Sequence, residues 1–133
     1  MTIEHEIFEI LQAPVTVGGR RINQIADEFR TGRDAHELIE LLDSPNAEIV
    51  SLGAWILGEI ATKFYNFHPF ISRLWKLTDH DDCTVRFNAL GALFPVLNWR
   101  DTATRNMVEK LRGDHNEGVR KRAEAIFELL SNE

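Results

Sequence analysis

Two histidine–glutamate pairs, His5-Glu6 and His36-Glu37, are the residues of this sequence best suited to metal chemistry. An imidazole next to a carboxylate can supply two ligands to a divalent transition metal. The apolar pattern around each pair predicts a helix with the pair on its outward face. Because two such pairs are also too few to enclose a metal, we interpret them as solvent-exposed residues and predict no metal, cofactor or catalytic residue.

A second group of possible metal ligands repeats in two turns, as Asp-His-Asp-Asp at residues 79–82 and Asp-His-Asn at residues 114–116. Carboxylate and imidazole groups together can bind a divalent cation. Turns also select Asp and Asn for local hydrogen bonds to the backbone, and we prefer this interpretation. Cys83 follows the first turn, but the neighbouring Asp81 and Asp82 oppose formation of a thiolate, and the sequence offers no second cysteine and no histidine in a fixed position to activate it. We therefore interpret Cys83 as a bystander thiol.

The composition is that of an ordinary globular domain, with 133 residues, 44% hydrophobic and 27% charged. A single cysteine excludes an intramolecular disulfide and gives no sign of an oxidising compartment. The N-terminal residues lack the basic-then-apolar order of a secretory signal, and the longest apolar run, 52–58, is too short to cross a bilayer. We therefore expect a cytoplasmic protein.

The net charge of −6 is concentrated in the first half of the chain. Residues 1–66 contain 11 Asp or Glu and 5 Lys or Arg, whereas residues 67–133 contain 10 of each kind. An acidic surface attracts basic partners and repels phosphate backbones. The charge distribution therefore favours a basic partner and argues against nucleic acid.

A similar phrase begins at Leu41, Leu77 and Leu111, so that the repeats are 36 and 34 residues apart. It reads Leu-x-Asp/Gly-x-x-Asn/Asp-x-x-Ile/Val, and a period of this length is typical of stacked helical hairpins. In each repeat, apolar or small residues recur at i, i+4, i+7, i+8 and i+11, which marks one face of a helix. These candidate core positions are Ile49, Gly53, Ile56, Leu57 and Ile60; Val85, Ala89, Ala92, Leu93 and Val96; and Val119, Ala123, Ile126, Phe127 and Leu130.

The termini of the helices are marked by capping and breaking residues. Asn46, Asp82 and Asn116 are suited to cap the second helices of three hairpins, as are Asp34 and Asp101 for two of the first helices. Pro95 should kink or end the sixth helix. The sequence thus predicts an all-α protein of eight helices, at 2–12, 19–31, 34–43, 46–64, 68–78, 82–97, 101–112 and 116–131. These form hairpins over 2–31, 34–64, 68–97 and 101–131.

The motif that runs from Leu77 to Arg86 resembles the HEAT repeat, and residues 54–60 are similar to the HEAT-like repeats of the phycobilisome-lyase type. The resemblance is strong over residues 34–131 and weak over 1–33. It implies a right-handed α-solenoid of about four hairpins whose second helices line the concave side. The first clear repeat has Val50 where the later ones have Arg86 and Arg120, so we expect different packing near residue 50.

A binding surface follows from this arrangement, because the side of each second helix opposite the core should be exposed. Trp55 has a carboxylate about one turn away on either side, which suits a rigid anchor for a basic partner. The alternative is that Trp55 packs against an adjacent helix. The candidate partner-binding residues are Glu28, Glu48, Leu52, Trp55, Glu59, Tyr65, Asn88 and Arg122.

The resemblance implies a non-enzymatic module that binds another protein. Small, acidic HEAT-like chains of this length resemble bacterial immunity proteins, which would here neutralise a basic toxin, such as a nuclease, through an acidic concave face. Two alternatives stay open at this point, a DNA-binding module of the HEAT-like alkylpurine glycosylase type and a phycobilin-lyase-like scaffold. We expect no nucleic-acid or membrane partner, and the oligomeric state is left open.

Overall fold

Helices form all the regular secondary structure in the described part of the chain, so the all-α prediction is confirmed. The computed structural model describes residues 2–64 and 67–132, and side chains are described for residues 2–60 and 67–132. These ranges contain eight α-helices and two short 3-10 helices, and no strand. The helices are α1 (Ile3–Gln12), α2 (Val15–Arg30), a 3-10 helix (Ala35–Glu37), α3 (Leu38–Leu42), α4 (Ala47–Phe64), α5 (His68–Leu77), α6 (Cys83–Leu93), a 3-10 helix (Phe94–Val96), α7 (Thr102–Arg112) and α8 (Glu117–Ser131).

The predicted caps of α4, α6 and α8 are confirmed. A side-chain oxygen of Asn46, Asp82 and Asn116 accepts a hydrogen bond from a backbone N–H in the first turn of the helix that follows. Each such bond satisfies a donor that the helix itself leaves unpaired, and is worth about 1 kcal/mol. Asp34 likewise accepts from the N–H of His36. Asp101 occupies the N-cap position of α7, but its side chain makes no capping hydrogen bond, so that part of the prediction is wrong.

Two helix boundaries differ from the prediction. Helix α2 begins at Val15 rather than at residue 19, so that Gly18 and the three residues before it belong to the helix. A Cβ at position 18 would lie 3.0 Å from the carbonyl oxygen of Ile10, so a glycine here permits close contact between α1 and α2. The segment predicted as one helix over 34–43 is a 3-10 turn followed by the short α3.

Pro95 ends a helix as predicted. Helix α6 stops at Leu93, and the chain continues as the 3-10 helix that contains Pro95. Proline has no N–H to donate and its ring clashes with the preceding turn of an α-helix. The predicted helix over 82–97 is therefore shorter in its α-helical part.

The helices pack in consecutive hairpins. Helix α1 contacts α2, α3 contacts α4, α5 contacts α6, and α7 contacts α8. The second members also contact one another in order, α2 with α4, α4 with α6 and α6 with α8. The core lies between the first and second helices and contains the predicted periodic residues, except that Val96 and Phe127 are only partly buried.

Small residues bring these helices close together. A Cβ added at Gly53 would lie 2.7 Å from the Cβ of Leu41, which no real side chain could tolerate without a shift. Ala89 and Ala123 occupy the equivalent slots and are fully buried. A small residue therefore occupies this buried slot in all three repeats, and at Gly53 it permits close approach of α3.

An arginine joins the turn between α5 and α6 to the turn between α7 and α8. Nε and Nη2 of Arg86 each donate a hydrogen bond of 2.9 Å to a carboxylate oxygen of Asp114. Its Nη1 donates to the backbone carbonyl oxygens of His80 and Asp81. The guanidinium holds the pKa of the Asp114 carboxyl below its usual value. Arg120 repeats the carbonyl contacts 34 residues later, with Nη1 at 2.8 Å from the Asp114 oxygen.

The packing near residue 50 does differ, as expected. Val50 is buried, at 1% exposure, and belongs to the core instead of bridging two turns. Arg73 of α5 links the second and third hairpins, because it donates hydrogen bonds of 2.8 and 3.1 Å to the two carboxylate oxygens of Asp43. An arginine from a first helix thus makes the connection that Arg86 makes from a second helix.

Candidate binding groove

A groove about 200 Å³ in volume lies on the surface formed by α4, α6 and α8. It brings together four of the predicted partner-binding residues, Trp55, Glu59, Asn88 and Arg122. These residues come from three second helices, and their side chains converge because each helix contacts the next. The lining residues are Ala54, Trp55, Gly58, Glu59, Asn88, Gly91, Ala92 and Arg122.

Trp55 forms the apolar part of this groove. Its side chain is partly buried and packs against the core cluster, while its remaining surface lines the groove. Trp55 therefore combines the two alternatives considered from the sequence, packing against neighbouring helices and exposure at a surface. A side chain held in this way loses little conformational freedom on binding, which is typical of aromatic anchors in protein interfaces.

Arg122 supplies the positive charge of the groove. Its guanidinium carbon lies 3.5 Å from the centroid of the Phe87 ring, and Nη1 donates to the Phe87 carbonyl oxygen at 2.9 Å. Burial lowers the pKa of this guanidinium from its ordinary value. Among the described residues no carboxylate pairs with Arg122, so its charge is partly removed from water without a counter-charge.

Asn88 and Gly91, both on α6, complete the lining of the groove. The amide nitrogen of Asn88 donates to the backbone oxygen of Ser51 at 3.1 Å and to its hydroxyl at 2.9 Å. Asn88 thus joins α6 to α4, and its donors are used within the protein. Gly91 leaves the space that Arg122 occupies, because a Cβ there would lie 2.2 Å from Nη1 of Arg122.

The predicted acidic surface carries mixed charge in the folded chain. Glu59 pairs with Arg30 at 3.2 Å, and Glu28 pairs with Arg33 at 3.2 Å and with Arg21 at 3.5 Å. These arginines offset two of the three carboxylates that we expected to attract a basic partner. Counting charges along the sequence does not show which of them pair, and Arg30 of α2 reaches Glu59 only because α2 packs against α4.

The other predicted residues do not line the groove. Glu28 belongs to a cluster of ion pairs with Arg21, Arg33 and Glu6 between α1 and α2. Glu48 is exposed near the start of α4, and Leu52 is partly buried against the core. Tyr65 lies outside the described residues.

The histidine–glutamate pairs are occupied by other interactions. The carboxylates of Glu6 and Glu37 both bind Arg33, whose pKa they raise. His36 lies 2.8 Å from an oxygen of Asp34 and packs edge-on against Phe67. His5 and His36 are exposed, as predicted. The prediction is wrong for Glu6, because its carboxylate is largely buried in the ion pair with Arg33.

The repeated Asp and His residues of the turns also have partners. Asp79 pairs with Lys110, Asp114 with Arg86, and Asp82 caps α6. His80 Nδ1 accepts a hydrogen bond from the N–H of Asp82 at 3.0 Å. Among the side chains described, those of residues 2–60 and 67–132, no three His, Cys, Asp or Glu groups are placed to hold a metal ion.

Sequence reasoning missed Phe87 and Gly91, the two residues that position Arg122. Gly91 had a usable signal, since a glycine inside an otherwise regular helix indicates close approach of another group. Phe87 precedes Gly91 by four residues and therefore lies on the same helix face. Nothing in the local sequence indicates that an arginine 35 residues after Phe87 would lie on its ring.

No helix in the described part of the chain is both long and apolar enough to cross a membrane. The chain matches no protein-family model. It has no significant match among curated proteins either. The geometry of the groove is therefore the main guide to function.

Proposed function

We propose that this chain is a non-enzymatic, protein-binding module, built as a right-handed, HEAT-like α-solenoid. The observation that carries the proposal is the groove in which Trp55, Glu59, Asn88 and Arg122 meet. Tryptophan and arginine are among the residue types enriched in binding hot spots. Repeat architectures present such surfaces along their stacked helices.

The size of the groove favours a side chain of a protein over a free small molecule. Its volume of about 200 Å³ is below the roughly 300–1,000 Å³ of ordinary ligand pockets. A groove of this size accommodates one or two side chains of a partner, whose remaining contacts would extend over the neighbouring helices. Phe94 and Leu129 are examples of large apolar side chains exposed elsewhere on the chain.

The more specific role that we propose is neutralisation of a basic toxin. Its support is the acidic balance of residues 1–66 and the resemblance to immunity proteins. Glu40 and Glu48 are exposed, and no cationic side chain pairs with either of them among the described residues. Long-range attraction by such charges would accelerate association, and added salt would weaken it.

The test is capture of a partner by immobilised chain, followed by affinity measurement with the purified partner. Trp55→Ala should weaken binding about 30-fold or more, as expected for an interfacial aromatic anchor. Trp75→Ala is the matched control, because Trp75 is also partly buried against the core but lies on α5, away from the groove.

Equal weakening by the two variants would indicate a general loss of structure and would contradict the proposed surface. A captured partner that is basic and toxic when expressed alone would support the specific role. Binding that is unchanged by Trp55→Ala would exclude the groove as the contact site.

A further inference from the structure

Arg122 differs from the arginines that stabilise the fold. Arg33, Arg86 and Arg112 are also partly buried, and each pairs with at least one carboxylate. Arg122 has no such partner among the described residues, although burial already disfavours its charge. A partly desolvated cation gains most from an anion that can reach it, because the cost of desolvation has already been met.

The guanidinium is held in place before any ligand binds. The Phe87 ring supports one face at 3.5 Å, the Phe87 carbonyl accepts from Nη1 at 2.9 Å, and Gly91 leaves room for the group. Fixing a donor in advance reduces the entropy lost on binding. The Nε and Nη2 donors have no hydrogen-bond partner among the described residues.

Arg86 shows what this arrangement binds. It uses Nη1 for carbonyl oxygens of its own turn and the edge formed by Nε and Nη2 for both oxygens of Asp114. Arg122 divides its donors in the same way, with Nη1 on a carbonyl oxygen and the same edge left over. That edge matches the two oxygens of a carboxylate.

We propose that Arg122 is a carboxylate-binding site, and that the protein partner inserts an acidic side chain or a C-terminal carboxylate into the groove. The inference rests on the proposed protein-binding function and adds a chemical requirement to it. Trp55 provides an apolar wall for the carbon atoms that carry the carboxylate, and Glu59 opposes a doubly charged phosphate more than a single negative charge. The partner would thus combine an overall basic surface with one acidic group at the groove.

The test uses the isolated chain and small probes of known structure. The ¹⁵Nε–H signal of Arg122 is followed by NMR while N-acetylglycine, N-acetylglutamate α-amide, N-acetylglycinamide or inorganic phosphate is added. Both carboxylate probes should shift the signal saturably, with dissociation constants on the order of 10 mM as expected for ligands of few atoms. N-acetylglycinamide, which lacks the carboxylate, should cause no shift.

Two variants complete the design. Arg122→Lys should weaken binding of the carboxylate probes about tenfold, measured from Trp fluorescence, because an ammonium cannot form the paired hydrogen bonds. Arg120→Met is the matched control; Arg120 lies on the same helix and does not line the groove, so the shift of the Arg122 signal should persist.

The outcomes separate this inference from the proposed function. A shift caused equally by the amide probe, no saturable shift, or stronger binding of phosphate would overturn the carboxylate site. None of these would affect the comparison of Trp55→Ala with Trp75→Ala, which tests the protein-binding role. The stronger of the two carboxylate probes identifies whether the partner contributes a terminal or a side-chain carboxylate.

Discussion

Arg86 and Arg122 lie on neighbouring second helices, and both are partly buried, but their surroundings differ. Arg86 binds two carbonyl oxygens and both oxygens of Asp114, so its charge is neutralised within the protein. Arg122 has one carbonyl contact and an aromatic ring, and its pKa is lowered where that of Arg86 is raised. Arg86 therefore contributes to the stability of the fold. Arg122 keeps its Nε and Nη2 donors available for a ligand, as proposed above.

The two arginines represent two different situations for a partly buried cation, with and without a carboxylate partner. A buried ion pair that is broken leaves an uncompensated charge, so removing either member is costly. A buried cation without a counter-ion is the opposite case, since removing it relieves a desolvation cost. Stability measurements can therefore separate the two kinds of arginine before any partner is known.

The largest effect should follow from Arg86→Met. The variant leaves Asp114 without its counter-ion and two turn carbonyls without their donor. We expect the free energy of unfolding to fall by about 3 kcal/mol. Urea unfolding at pH 7 measures the loss, and a change below about 1 kcal/mol would contradict a structural role for this ion pair.

Asp114→Asn should have the next largest effect, and its size should depend on pH. The folded-state pKa of Asp114 is lowered by Arg86, so the carboxylate stabilises the fold above its unfolded-state pKa and loses that contribution as pH falls through the folded-state value. We expect a loss of about 2 kcal/mol at pH 7. The difference from wild type should narrow below about pH 4, where aspartate begins to protonate. A difference that stays constant down to pH 2 would argue against this ion pair as the cause.

Arg122→Met should change stability by less than about 1 kcal/mol, in either direction, because the lost hydrogen bond to Phe87 is offset by removal of a desolvated charge. The same unfolding experiment applies. A loss as large as that of Arg86→Met would show that Arg122 is a structural residue and would remove the contrast between them.

Two glycine substitutions should give the smallest and most selective effects. Gly58→Ala places a Cβ 3.8 Å from Ala92, an ordinary contact, and should stabilise α4 by about 0.5 kcal/mol. Gly91→Ala places a Cβ 2.2 Å from Nη1 of Arg122, the mobile end of a long side chain, so the guanidinium should move while the helix stays intact. Only Gly91→Ala should alter the Arg122 Nε–H signal. An equal change in both variants would contradict the position of the Arg122 guanidinium beside Gly91.

Much of the secondary structure could be predicted from local sequence. The capping residues Asn46, Asp82 and Asn116 and the breaker Pro95 act on adjacent backbone groups, so their effects are visible in a short window. The start of α2 was predicted at residue 19 instead of Val15. Gly18 packs closely against the Ile10 carbonyl of another helix, and a contact of that kind is not visible in a short window of sequence.

The sequence predicted part of the candidate site, namely four of the residues that line the groove. The 36- and 34-residue periods relate Asn88 and Arg122 to Leu52, and Trp55 lies about one turn after Leu52 on the same helix. The structure places Trp55, Asn88 and Arg122 around one groove. The charge of this surface was not predictable. Glu59 meets Arg30 across two helices, 29 residues apart, and that pairing depends on how α2 and α4 pack.

The sequence by itself determined the helical content, the repeat and the core faces, because periodic burial and capping are short-range properties. Tertiary structure alone decided which charges are neutralised. Arg86 reaches Asp114 over 28 residues, and Arg122 reaches the Phe87 carbonyl over 35 and finds no carboxylate among the described residues. The difference is physical: an ion pair requires a few ångströms between its members, and only the packing of separate helices sets that distance.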